Sequence, residues 1–225
     1  MPIDRGKFLI TMSVTIITKL VIKGESMPKA FSEQEKEVIR AQLREKGKAL
    51  FEMYGLKKTT VDELTVDVGV SKGAFYLFYE SKEMLFMDIL EQMEKDIQTR
   101  ILDFVINPAE NAHQNLRTML LRFLVTWDDF PLLKNFSKSD FDYLVRKIPA
   151  ERAMKHADSD TEFTQEFINK IEREGIAVSA SPRVVSNLVK SLFFIGLHRD
   201  DLGEAAYLET MDVLTDLVAG YIVGE

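Results

Sequence analysis

Hydrophobic positions in this chain recur at steps of three and four, the spacing that lines one face of an α-helix. The first stripe is Ile39, Leu43, Gly47, Leu50 and Tyr54. Ser32-Glu33-Gln34-Glu35 precedes it as a capping box, S-x-x-E, in which each end residue satisfies an exposed backbone N–H of the other. Gly55 with Leu56 behind it suits a glycine C-cap and its hydrophobic contact, so a helix is predicted over 32–54. Gly47 on the apolar face predicts that another helix approaches closely there. Thr60-Val61-Asp62-Glu63 is a second capping box, opening a short helix through about Asp67. Val68-Gly69-Val70 reads as a tight connection whose glycine takes a positive φ. Ser71 then caps a third helix, Lys72–Phe78, with Val70 and Phe75 at the hydrophobic-staple positions. Two short helices joined by such a turn form a helix-turn-helix. Ser81 caps a fourth, long helix whose stripe is Leu85, Ile89, Met93, Ile97, Ile101 and Phe104.

The remaining chain is also helical in pattern. Asn107-Pro108-Ala109-Glu110 supplies an N-cap, a proline at N1 and a glutamate at N3, predicting a helix to about Trp127. Pro131 and Pro149 bracket a further helical stretch rich in Phe136, Phe141 and Tyr143. Asp158–Glu174 predicts an amphipathic helix ended by Gly175. Ser181-Pro182 opens a helix to about Arg199, and the last helix is expected over about Glu204–Val223. These last two are apolar over more than one stripe: Val185, Leu188, Val189, Leu192, Phe193 and Ile195, then Leu208, Met211, Leu214, Leu217, Val218, Tyr221 and Ile222. Such breadth implies burial against more than one neighbour.

Residues 1–26 differ in texture. The apolar stretch Phe8–Ile22 is interrupted by Thr11, Ser13, Thr15, Thr18 and Lys19, short of the ~18 uninterrupted residues of a membrane span. Arg5 and Lys7 before an apolar run imitate a signal peptide, but no small-x-small cleavage site follows. One reading is a disordered or strand-like extension. Another is translated upstream sequence: Lys23-Gly24-Glu25 can be encoded by a purine-rich ribosome-binding sequence, one codon before Met27. The expectation is a leader over 1–28, dispensable as far as Met27.

Composition narrows the function. Of the 225 residues, 46% are hydrophobic and 29% charged, the balance of a globular protein. Without cysteine, disulfides and thiolate metal sites are excluded. His113, His156 and His198 fall in no metal-ligand spacing, so neither a metal nor a cofactor is expected, and no nucleophile–base constellation suggests an enzyme. The formal charge of −7 is unevenly spread. Residues 29–82 hold ten Lys and Arg against nine Asp and Glu, whereas residues 83–225 hold 15 against 25. An acidic body with a neutral-to-basic amino end suggests that only that end meets phosphate.

The run TTVDELTVDVGVSKGAFYLFYESKEMLF resembles the signature of the TetR/AcrR family of bacterial helix-turn-helix regulators. The elements of the match are Thr-Thr, a short helix, Gly-Val-Ser-Lys-Gly, an aromatic cluster with Tyr, and Ser-Lys-Glu-x-Leu. It covers about Ile39–Leu90; beyond it only helical texture agrees. The resemblance implies an all-α fold: a three-helix DNA-binding domain over 29–82, then an effector-binding and dimerising domain over 83–225. The implied partners are a double-stranded DNA operator, a small-molecule effector and a second copy of the chain, in the cytoplasm and away from membranes. The last two helices would pair with their two-fold mates in a four-helix bundle.

Recognition helices present their first turn to base edges; here that turn is Ser71, Lys72, Gly73 and Ala74. Thr60 and Ser81, at helix N-termini, can offer hydroxyl and N–H groups to phosphate. In the resemblance Tyr76 and Lys82 clamp phosphates. Each residue also has a plainer reading: Thr60, Ser71 and Ser81 are caps in any case, Tyr76 can be core, and lone lysines are usually solvated. Leu77, Phe78, Tyr79 and Glu80 depart from the family pattern, and Glu80 would weaken contact with phosphate. Phe123, Trp127, Phe141, Phe163, Phe167 and Phe194 are candidates for a ligand cavity, with Arg117, His113 and His198 available to an anion; aromatics at helical spacing are equally plain core. The expectation is a repressor released by a weakly charged, partly apolar effector. The alternative is a helical adaptor that has lost operator binding.

Overall fold

The computed structural model describes residues 31–225, apart from the side chains of residues 126–128; the leader and the Trp127 side chain therefore lie outside the described residues. Every regular element described is an α-helix. Helices α1 (Glu33–Lys58), α2 (Val61–Val66) and α3 (Lys72–Phe75) pack on the first half of α4 (Lys82–Leu102). Both predicted capping boxes are formed. Glu35 N–H donates to Ser32 Oγ while the Glu35 carboxylate accepts from Ser32 N–H, and Glu63 and Thr60 do the same. At Gly55 the chain takes φ 77°, which breaks the α1 geometry before a final turn reaches Lys58. The buried face of α1 is Ile39, Leu43, Gly47 and Phe51, whereas Tyr54 is half exposed. A Cβ on Gly47 would fall 3.0 Å from Ile89 Cδ1 and 3.1 Å from Leu85 Cδ2, so the missing side chain is what lets α1 and α4 cross closely.

The body comprises α5 (Ala112–Asp128), α6 (Pro131–Lys134), α7 (Lys138–Lys147), α8 (Ala150–Arg173), α9 (Pro182–Gly196), α10 (Arg199–Leu202) and α11 (Glu204–Val223). Two helix starts and one helix end differ from the sequence reading. Asn107–Glu110 is a turn, closed by Glu110 N–H on Asn107 O at 3.1 Å. The helix opens later because Asn111 and Gln114 cap each other, Gln114 N–H to Asn111 Oδ1 at 2.8 Å and Asn111 N–H to Gln114 Oε1 at 3.0 Å. Helix α8 starts at Ala150 rather than near 158, because Pro149, with φ −60° and no N–H to satisfy, sits at its N-cap. Its first turns carry few apolar residues, so periodicity did not register them. The helix after Ser181 ends at Gly196, and α10 is a separate turn closed by Gly203 at φ 80°.

Two cores result. One joins Leu43, Phe51, Leu64, Phe75, Leu85 and Phe86 to Leu132, Leu133, Phe136 and Leu144 of the α6–α7 region. The other packs Leu116, Leu120, Phe167, Ile171, Leu192, Met211, Ala219 and Ile222. The first core therefore does not stop at residue 82: α6 and α7 contribute to it, and α4 runs on from it towards the second core.

Candidate nucleic-acid interface

The connection between α2 and α3 turns at Gly69, φ 75°. Ser71 Oγ then accepts Ala74 N–H at 3.1 Å and starts α3. One α-helical turn is all that forms; the chain tightens into i→i+3 bonds, Leu77 N–H to Ala74 O and Phe78 N–H to Phe75 O, so the expected helix to Phe78 ends three residues early. Phe75 is fully buried and holds Tyr76 edge-on at 5.5 Å. With that anchor in place Ser71, Lys72, Gly73, Tyr76 and Leu77 face outward, and Ala74 is half-buried. Leu77, 72% exposed, adds an apolar contact surface that the sequence reading treated only as a departure from the family pattern.

A surface notch of about 320 Å³ lies between the end of α1 and the start of α4, and it gathers Thr60, Tyr76, Ser81 and Lys82 with Lys57 and Glu80. Four of the eight expected DNA-contact residues thus share one hollow. The polar side-chain atoms of Thr60, Ser81 and Lys82 already have partners. Thr60 Oγ1 donates to Glu63 Oε2 at 2.8 Å, and Ser81 Oγ accepts Met84 N–H at 3.2 Å. Lys72 Nζ donates to Asp62 Oδ2 at 2.8 Å, a bond that raises its pKa.

Lys82 departs furthest from expectation. Its ammonium donates to Leu56 O at 2.8 Å, Lys57 O at 3.0 Å and Thr59 O at 2.7 Å. The last carbonyls of a helix have no intrahelical donor, and a lysine ammonium carries three N–H groups; here the two needs match. Partial burial lowers the Lys82 pKa. In this arrangement Lys82 fixes the end of α1 to the start of α4 instead of presenting a free charge to phosphate.

Tyr79 is also tied within the chain, through a side-chain carboxylate. Its hydroxyl donates to Asp88 Oδ2 at 2.6 Å, and Arg44 Nη1 donates to the same oxygen at 3.2 Å. Burial, then the Asp88 bond, raises the Tyr79 pKa. Contacts between the helix-turn-helix and α7 were also unforeseen. Lys57 Nζ reaches Ser139 Oγ at 2.6 Å and Asp140 Oδ1 at 3.4 Å. The Tyr143 hydroxyl donates to Glu83 at 2.6 Å, a bond that pushes its pKa up to about 12. These pairs are 60 to 83 residues apart, beyond the reach of local pattern.

In the body a cleft of about 450 Å³ opens between α5, the α6–α7 connection, α9 and α10. Its apolar floor includes Phe123, Leu133, Phe136 and Phe193, and its rim Lys134, Asn135, Ser137, Arg199, Asp200 and Glu204. Of the expected pocket residues whose side chains are described, only Phe123 lines it. Arg117 pairs with Asp212 and Asp216 of α11. Phe141 and Phe194 meet edge to face at 5.3 Å outside the cleft. Phe163 and Phe167 pack into the second core. His198 bonds Asp201 at 2.8 Å, and His113 is held by Glu225 and Asp216. The missed lining residues come from helices α5, α6, α9, α10 and α11 and from the α6–α7 connection, and which helix faces meet at the cleft is set by packing that no single helical spacing reveals. Elsewhere in the body, burial with Asp160 and Glu91 nearby pushes the Glu94 carboxyl up to about 8.

The glycine-turned helix pair locked on a long helix that continues into a helical body is a helix-turn-helix in an all-α chain. The family described as bacterial regulatory proteins, tetR family, matches residues 43–89, from the middle of α1 into α4. The HTH-type transcriptional regulator YhgD of Bacillus subtilis is 30% identical over 123 residues, 55% of this chain and 56% of that one. YuxN of the same organism, also described as an HTH-type transcriptional regulator, is 31% identical over 100 residues, 44% of this chain and 33% of that one. The matched stretches thus span a third to a little over half of these relatives. A TetR-family transcriptional regulator from Pectobacterium atrosepticum shares the fold with TM-score 0.62 at 20% identity, over 86% of this chain and 98% of that one. The Thermus thermophilus TetR-family repressor FadR, solved with lauroyl-CoA, shares it with TM-score 0.59 at 17% identity, over 81% and 94%. Residues 43–89 thus match the helix-turn-helix of tetR-family regulatory proteins, and the chain shares the all-α fold of solved TetR-family structures. The family and the all-α architecture expected from the sequence are borne out.

Proposed function

We propose that this regulator is a homodimeric repressor that binds an imperfect palindrome in double-stranded DNA through α2 and α3, and that a small molecule in the body cleft releases it. The observation that carries the reading is the outward surface of Ser71, Lys72, Gly73, Ala74 and Tyr76 beside the notch of Thr60, Ser81 and Lys82, anchored from within by Phe75. Residues 29–82 form the DNA-binding unit and 83–225 the sensing and dimerising unit, with α4 linking them. On α9 and α11, Val184, Phe194, Leu208, Val213, Leu217 and Tyr221 are exposed; a two-fold mate covers such a surface in an isologous contact. The cleft, apolar in its floor and charged at its rim, suits an amphipathic effector better than a wholly uncharged one. Effector release requires only that the ligand bind one arrangement of the two DNA-binding units better than the other. No helix among the described residues is long and apolar enough to cross a membrane. The proposal is of a regulator acting on cytoplasmic DNA, not an enzyme.

Footprinting and salt-titrated gel shifts on DNA upstream of the chain's own coding region test the proposal. The expected result is one protected, imperfectly palindromic site with half-sites roughly 34 Å apart. No protected palindrome, with the dimer intact, would move the assignment to a helical adaptor without an operator.

A further inference from the structure

Polar side chains line part of the seam between α4 and α8. His156 and Asp160 stand four residues apart on α8 and therefore share a face; Glu94 faces them from α4. One ligand atom from each, a His156 ring nitrogen and a carboxylate oxygen of Glu94 and of Asp160, lies within 4.8 Å of the others. His156 Nε2 is 3.4 Å from Glu94 Oε1. Ligand atoms at roughly 2.0–2.2 Å from one ion need only small side-chain rotations from this starting geometry. All three residues are half-buried, so water can complete the coordination.

The charges around the group are unbalanced. Glu91, Glu94 and Asp160 bring three carboxylates together. Arg152 engages Glu91, and Lys190 Nζ sits 3.0 Å from one oxygen of Asp160, leaving its second oxygen available. Among the described residues, Glu94 has no polar partner nearer than the His156 ring. An imidazole with two carboxylates is a nitrogen–oxygen donor set. It suits first-row divalent ions such as Mn²⁺ and Zn²⁺, whereas Mg²⁺ and Ca²⁺ prefer oxygen alone.

We propose that Glu94, His156 and Asp160 form a binding site for a divalent transition-metal ion that ties α4 to α8. Sequence spacing hid the site because Glu94 lies 62 residues before His156. The site is independent of what the chain does to DNA. One consequence rests on the operator-binding reading: α4 begins at Lys82, the residue that fixes the end of α1, so an ion drawing α4 to α8 biases the placement of the helix-turn-helix.

The test uses the full-length chain, freed of metal with a chelator, titrated with Mn²⁺ and with Zn²⁺ by calorimetry and thermal melting. One ion per chain is expected, with a raised melting temperature and no competition from equimolar Mg²⁺. Glu94→Gln and His156→Ala should each weaken binding by about tenfold or more and still melt cooperatively without ion; Lys190→Ala, by removing a competing cation, should tighten it. No binding up to about 1 mM ion, or binding that survives both ligand variants, would overturn the site. A second arm measures operator affinity with and without the ion. A change in the wild type that vanishes in Glu94→Gln supports the coupling, and an unchanged affinity with the ion bound overturns the coupling alone. Because the first arm contains no DNA, its failure is distinct from failure of the operator-binding proposal.

Discussion

A lysine at the start of a DNA-facing helix looks like a phosphate anchor, yet the Lys82 ammonium bonds three carbonyls of its own chain, those of Leu56, Lys57 and Thr59. Removing it leaves acceptors at the end of α1 without their donor. Lys82→Ala should therefore lower stability by about 1–2 kcal/mol, read as a fall in urea midpoint, and any loss of DNA binding should accompany that destabilisation with little change in salt slope. A slope reduced by about one with stability unchanged would restore the phosphate role. Lys72 leads the other way. Its ammonium bonds Asp62 in the free protein, so the carboxylate competes with DNA for it and also repels phosphate. Asp62→Asn should tighten operator binding and steepen its salt dependence while leaving the fold intact, since Asp62 is exposed; weaker binding in gel shifts would contradict this. Caps such as Thr60, Ser71 and Ser81 are legible in sequence because donor and acceptor lie within three residues. The partners of Lys82, Tyr79 and Lys57 are set by packing and leave no local trace.

The same division holds for whole elements. Helices with a cap and a clear stripe, α1, α2 and α4, start close to where spacing predicts them, as does α11 without a side-chain cap, and close packing at Gly47 was legible because a glycine interrupts an otherwise apolar face. The starts of α5 and α8 were misplaced where two signals competed or the stripe was absent. At α5 the deciding residue is Asn115, 1% exposed, which no local rule singles out. Its amide donates to Asn107 O, Glu110 O and Asn111 O, and its oxygen accepts Asn107 N–H at 2.7 Å. This one side chain folds the Asn107–Glu110 turn onto the helix that follows. Asn115→Ala leaves several backbone groups of the turn without partners and should cost on the order of 2–4 kcal/mol. Asn111→Ala, which removes an N-cap, should cost about 1 kcal/mol. Denaturant melts of the two variants check the order; equal losses would show that the cap, and not the buried amide, sets the start of α5.

For the whole molecule, the broad apolar surface of the last two helices divides into two populations once the fold is known. Val185, Leu192, Met211, Val218 and Ile222 are buried within one chain, while Leu208, Val213, Leu217 and Tyr221 remain outside, Leu217 at 62% exposure. Leu214, half-buried against the second core, belongs between them, so a charge there harms the monomer as well as any dimer. Leu217→Asp is the cleaner probe, because its side chain contributes little to the intramolecular core and, in the proposed dimer, a carboxylate there would be buried in the contact, where burial of charge is costly. The variant should keep its helicity but run as a monomer by sizing with light scattering at micromolar concentration. Its operator affinity should then fall by a factor of about 10² or more, since each half-site loses the high effective concentration that a tethered second unit provides. The two readouts are linked: a dimer that survives Leu217→Asp would place the partner surface elsewhere. A monomer that still binds the full site with wild-type affinity would show that α9 and α11 do not set the spacing of the DNA-binding units.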